Sequence, residues 1–245
     1  MAAAVGAEVS PRERIMAAAE QLFARHGMAS VSIRAITGAA RVNLASLNYH
    51  FGSKEQLLAE IFERRARPIA EARVQALSGC VEAPGRPPLL EQLLEAFLRP
   101  SFALGKEGGD GEGAIFVKLR ARVATEPEGV ARRILSRAFN DSSRLYIDAL
   151  AQALPHLPRE EVLWRFHFLL GAMVYTMADV GRIQSLSAGA GGGDGRCDPG
   201  ESEEALRHMI PFLAAGFRSP PIGGAAAPRP PAAGPTGADP AAQPE

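Results

Sequence analysis

Seven side chains able to donate or accept hydrogen bonds crowd the twelve residues from 43 to 54: Asn43, Ser46, Asn48, Tyr49, His50, Ser53 and Lys54. Amide and hydroxyl groups of this kind bond base edges or phosphates. Tyr and His tips reach phosphate oxygens, and an ammonium neutralises one. Between Ser30 and Lys54 there is no acidic residue, and from Ser10 to Arg67 nine basic residues stand against five acidic ones. The whole chain has a formal net charge of +0, so the bias is local, as a phosphate-facing surface requires. Solvated faces also carry such runs, so charge alone does not decide the matter.

Other residues capable of chemistry do not assemble. His26, His50, His156, His167 and His208 are scattered, without an Asp, Cys or Ser at triad spacing, an HExxH or a glycine-rich phosphate loop. Glu160 and Glu161 open a helix, where carboxylates complement the dipole. His167, on an apolar helix, reads as a satisfied core residue. An enzyme is therefore not expected. Cys80 and Cys197 lie far apart without companions at metal-ligand spacing, so neither a disulfide framework nor a metal site is expected. Met1 to Ser10 lacks the basic and apolar regions of a signal peptide. The most apolar run, Phe166 to Ala178, has thirteen residues, too few to span a bilayer. These readings predict a cytoplasmic protein with no membrane partner.

The elements that must position the polar cluster are helices. Ile15, Ala18, Ala19, Leu22 and Phe23 recur on one helical face, with Pro11 before them and Gly27 after. Ser32 and Asn43 are placed as N-caps, with Val31/Ile36 and Val42/Leu47 as hydrophobic staples, and Ser53-Lys54-Glu55-Gln56 reads as a capping box. Three capped starts about ten residues apart leave room only for two-turn helices and tight turns, the spacing of a helix-turn-helix. In the middle helix Leu44, Leu47 and Phe51 supply an inward face and leave Ala45, Ser46, Asn48, Tyr49 and His50 outside. On pattern alone, a compact subdomain with a merely polar surface competes with this reading. Strand-like alternation is absent, and the pattern predicts an all-α chain with helices over 11–26, 32–39, 43–50, 53–78 (kinked near Pro68), 88–104, 111–124, 128–154, 159–185 and 202–217. Residues 1–10 and 218–245, rich in Ala, Pro and Gly, are expected to be disordered, as are flexible glycine-rich loops over 105–113 and 187–200.

The run Arg14-Ile15, Ala19, Leu22-Phe23, Gly27, Val31 to Ile36, Ala39 to Val42 and Leu47 to Leu57 resembles the DNA-binding domain of the TetR family of transcriptional regulators. Tyr49-His50-Phe51-x-Ser53-Lys54-Glu55-x-Leu57 is its most specific block. The resemblance implies an N-terminal helix-turn-helix domain over 11–67 and a larger helical effector-binding and dimerisation domain over 68–217. It also implies that Ser32 and Arg34 touch the DNA backbone. Asn43, Leu44, Ala45, Ser46 and Asn48 would line the major groove, and Tyr49, His50 and Lys54 would hold phosphates. Family members often carry an acid where Ala35 stands and Gly where Arg41 stands. Arg41 would then sit in a left-handed conformation, at about 1 kcal/mol, and its charge could add a backbone contact.

The implied partners are double-stranded operator DNA, a second copy of the chain and a small apolar effector, with repression the expected outcome. A helical interaction protein without DNA binding is the alternative. Helix 159–185 is apolar almost all round and is expected to be buried on most sides. The last helix offers Leu206, Met209, Ile210, Leu213 and Phe217 on one face. The family places both helices in a dimer contact, although their pattern fits a monomeric core equally. Candidates to line a pocket are Phe97, Phe102, Phe116, Leu119, Arg122, Trp164, Phe168 and Tyr175, which together would suit an apolar molecule with an anionic end. Ordinary core residues would look the same. The segments Leu154 to Pro158 and Trp164 to Ala172 are similar to a branch that senses fatty acids or acyl-CoA. No other cofactor is expected.

Overall fold

The computed structural model describes residues 9–81, 88–103, 111–125, 129–178, 182–187 and 198–222. Residues 1–8 and 223–245, most of the two glycine-rich loops, and Cys197 lie outside these. Among the described residues all regular structure is helical: α1 Pro11–His26, α2 Ile33–Ala40, α3 Leu44–Phe51, α4 Lys54–Val81, α5 Leu90–Ala103, α6 Glu112–Thr125, α7 Val130–Ala153, α8 Arg159–Ala178, α9 Arg182–Ser187 and α10 Ser202–Arg218. The chain is all-α, as its periodicity predicts. Of the helix expected over 159–185, Arg159–Ala178 and the residues from Arg182 are helical, and 179–181 lie outside the described residues. Pro68 does not end α4. It is exposed, so the carbonyl that loses its bond can turn to water.

Local chemistry sets the boundaries. Ser10 and Glu13 form a reciprocal capping box at α1, and Gly27 closes that helix at φ 78°. Ser32 Oγ accepts from Ala35 N at 3.1 Å and Asn43 Oδ1 from Ser46 N at 2.8 Å. The expected box at Ser53 is half formed. Ser53 Oγ accepts from Gln56 N at 3.1 Å, while Ser53 N donates to Phe51 O.

Two hydrophobic clusters share the interior. The first joins Ile15, Ala19 and Phe23 of α1, Ile36 of α2, Leu47 and Phe51 of α3 and Leu57, Ile61, Phe62 and Ile69 of α4 with Phe116, Leu119 and Val123 of α6 and Phe139 of α7. The second joins α5 with the end of α7, one face of α8 and the Leu206, Met209, Leu213 and Phe217 face of α10. Those α10 residues are core in a single chain. The helix α4 passes from one cluster to the other and crosses 67/68 unbroken. Polar ties then fix the N-terminal helices to α4 and α6. Arg65 is paired with the buried Glu20 at 3.1 Å, and Arg12 with Glu60. Arg122 of α6 donates to Ala24 O at 3.2 Å and Arg25 O at 3.0 Å, at the C-terminal end of α1. Among the described residues no helix is long and apolar enough to cross a membrane.

Candidate nucleic-acid interface

The turn between α2 and α3 is built by Arg41, the only non-glycine residue with positive φ among those described (φ 54°, ψ 48°). Its N–H donates to Gly38 O, and Val42 N reaches back to Thr37 O at 3.0 Å. These bonds satisfy the last carbonyls of α2 and reverse the chain within two residues. Val42 then leads directly into the Asn43 cap of α3.

In α3, Leu47 and Phe51 are buried and the Arg12 guanidinium lies 5.4 Å from the Phe51 ring centre. Leu44 does not join them. The apolar pattern puts it on the inward face, but it is 47% exposed, because the first turn of α3 projects beyond the cluster that receives Leu47. Ala45, Asn48 and Tyr49 are exposed as well, Tyr49 by 86%, while Ser46 and His50 are half-exposed. The Tyr49 and His50 rings meet edge to face, centres 5.2 Å apart. Ser32, Arg34 and Arg41 are exposed on the preceding helix and turn. Neither arginine forms an ion pair among the described residues. The result is a capped two-turn helix with small and amide-bearing residues outward and uncompensated cations beside it.

Lys54 differs from expectation. Its Nζ donates to Met28 O at 2.8 Å and Val31 O at 3.0 Å, so the ammonium ties the α1–α2 loop to the start of α4. Two of its three N–H bonds are spent inside the protein. One is left for a phosphate, and the residue acts first as a clamp. Gly52, between α3 and α4, has φ 71°, and a Cβ there would run into the Gln56 side chain.

The eight residues expected to line a pocket are not brought together. Phe97 and Phe102 fill the second cluster, where Phe97 meets Tyr146 and Phe166 edge to face at 5.0 and 5.1 Å. Phe116 packs on Phe62, and Leu119 lies in the first cluster. Arg122 is spent on the α1 carbonyls. Trp164, Phe168 and Tyr175 are 55, 61 and 59% exposed. They share the helix face opposite Val162, Phe166, Leu169 and Met173, which are the buried core residues of α8. The near-uniform apolarity of α8 therefore does not mean burial within one chain. His167 is exposed too, against Trp164.

A short capped helix presented by two others, with its polar face outward and no acidic residue from 30 to 54, defines a helix-turn-helix DNA-binding protein. A family model described as "Bacterial regulatory proteins, tetR family" matches residues 15–61, and one described as "Tetracyclin repressor-like, C-terminal domain" matches residues 95–216. The chain belongs to the TetR family of transcriptional regulators. No curated protein sequence matches it. Solved structures of similar fold include the fatty acid degradation regulator FadR from Bacillus halodurans (17% identity, 87% of this chain and 99% of that one, TM-score 0.56). The TetR-family regulator PfmR from Thermus thermophilus is also similar (16%, 86% and 97%, 0.55). So is AibR, solved with isovaleryl coenzyme A and operator DNA (20%, 83% and 98%, 0.52).

Proposed function

We propose that this regulator is a cytoplasmic, ligand-responsive repressor, not an enzyme, that binds a palindromic operator as a homodimer. Its α3 helices would enter successive major grooves about 34–36 Å apart. Asn43, Leu44, Ala45, Ser46 and Asn48 face base edges, while Ser32, Arg34, Arg41, Tyr49, His50 and the remaining Lys54 N–H take phosphates. The observation that carries this reading is the outward face of α3, exposed and held from behind by Leu47 and Phe51.

The dimer reading rests on the large apolar side chains left exposed on α8 and α10: Trp164, Phe168, Tyr175 and Phe212, the last by 72%. An apolar patch of this kind marks an interaction surface, and a two-fold contact uses the same patch on both copies. The effector is a small apolar molecule with an anionic end, of the fatty acid or acyl-CoA class. Support comes from the resemblance of two segments to regulators that sense such molecules, and from AibR, whose complex holds isovaleryl coenzyme A. The effector acts by binding one dimer geometry better than the other, since only differential affinity shifts an equilibrium.

A gel shift on duplex DNA flanking the gene tests the proposal. Saturable binding that outcompetes unrelated duplex is expected. No affinity for any duplex at low ionic strength would favour a helical interaction protein that keeps the fold without DNA binding.

A further inference from the structure

Two arginines lie in the interior of the C-terminal helices with no carboxylate partner among the described residues. Arg73 of α4 has no solvent exposure and Arg120 of α6 has 7%. Arg73 Nε donates to Phe97 O at 2.9 Å, and its Nη2 to Ser101 Oγ at 2.8 Å and Met173 Sδ at 3.6 Å. Its Nη1 is buried with no hydrogen-bond partner. Arg120 Nη1 makes one long contact, 3.4 Å, to the same Ser101 hydroxyl. A single neutral oxygen thus stands between two guanidinium groups. Aromatic faces supply the rest of the surroundings, with Arg73 Cζ 3.7 Å from the centre of Phe97 and Arg120 Cζ 4.4 Å from that of Phe139.

Buried charges are ordinarily paired, because removing one from water costs several kcal/mol. Ring faces, the Phe97 carbonyl, the Met173 sulfur and one shared hydroxyl, all of them neutral, return only part of that. Burial pushes the Arg120 guanidinium down to about 10, and burial together with the Arg120 charge holds Arg73 well below its usual range. An arrangement this costly, with a donor unspent, is complementary to negative charge.

We infer that Arg73 and Arg120 form the anion-binding end of the effector site, and that the group they take is a free carboxylate on an apolar body. The inference rests on reading the C-terminal helices as an effector-sensing unit and names the chemistry that unit recognises. An acyl-CoA does not meet the requirement. Its acyl end is an uncharged thioester, and its phosphates sit on a bulky hydrophilic carrier that an interior of Phe97, Phe139, Tyr146 and Met173 would exclude. A free acid brings its charge and its chain in together, and a bidentate guanidinium contact suits it. The positions also suit signalling. Arg73 is on α4, which holds α1 through Arg65–Glu20. Arg120 is on α6, two residues before the Arg122 that holds the α1 carbonyls. A carboxylate drawing the two arginines together shifts both supports of the DNA-binding helices.

The test is thermal unfolding of the full chain, without DNA, against hexanoate, octanoate and decanoate, with the corresponding alcohols and octanoyl-CoA as controls. At least one carboxylate is expected to raise Tm progressively with its concentration, as ligand linkage requires, while its alcohol does not. In Arg73→Met and Arg120→Met that response should vanish, and the unliganded Tm should hold or rise because an unpaired buried charge has gone. If Arg73→Met fails to fold, Arg120→Met and the comparison of acid with alcohol on the unaltered chain still decide. Equal stabilisation by the alcohol, a response to octanoyl-CoA alone, a response surviving both substitutions, or none to any acid would overturn the inference. DNA binding, measured separately, fails or succeeds independently of all of these.

Discussion

Arg41 holds the α2–α3 turn at a φ that costs an ordinary side chain about 1 kcal/mol, yet it puts a cation next to the recognition helix. Arg41→Gly should therefore separate two properties. Calorimetry should show the variant more stable by up to about 1 kcal/mol, while duplex titrations at several salt concentrations show weaker binding and a shallower salt slope. Lys54→Ala should behave differently, because its ammonium bonds Met28 O and Val31 O. We expect a stability loss of about 1.5–3 kcal/mol, the range for hydrogen bonds to a charged group, with DNA binding weakened evenly across sequences. Unchanged chemical denaturation of this variant would contradict the clamp. The polar types at Asn48, Tyr49 and Lys54 were legible in the sequence. The internal use of Lys54 was not, because its acceptors are backbone carbonyls of residues 28 and 31, which carry no sequence signature. Arg73 and Arg120 were invisible for a related reason. Nothing local marks an arginine that is buried beside Ser101, a residue from another helix.

Among the elements, α1 was the most legible. Ser10, Pro11, Glu13 and Gly27 each act through their own backbone neighbourhood, so its bounds follow from a few adjacent residues. Leu44 shows where this stops, since period alone puts it with Leu47 but the reach of the core leaves it outside. In α8 the limit is sharper. Trp164 and Phe166 are equally apolar, and only tertiary contact reveals which one faces the core. The tie between α1 and α4 is testable at this scale. Glu20→Ala removes the carboxylate that accepts from Arg65 Nε and Nη2 and should cost up to about 3 kcal/mol. A double-mutant cycle with Arg65→Ala should show strong coupling, and simple additivity would contradict the pairing.

In the proposed reading α4 and α6 join a DNA-facing unit to an effector-facing one, and the exposed ridge of α8 and α10 would supply the contact that makes two half-sites act together. Phe168→Asp combined with Phe212→Asp should convert a dimer to a monomer in sedimentation velocity while helicity is kept, since neither side chain belongs to a core cluster. A wild-type chain that sediments as a monomer at micromolar concentration would remove the basis for a palindromic site. Sequence could not decide between dimer and core here. A Phe at position 212 reads the same whether a second chain or the first one covers it.

The most direct measurement is competition among single-base variants of a bound duplex for the wild-type chain and for Asn48→Ala. If the outer face of α3 reads bases, the substitution should relax discrimination at one position per half-site by roughly 1–3 kcal/mol and leave the other positions as they were. Uniform weakening across every variant, or binding indifferent to the change, would mean that α3 does not lie in the groove.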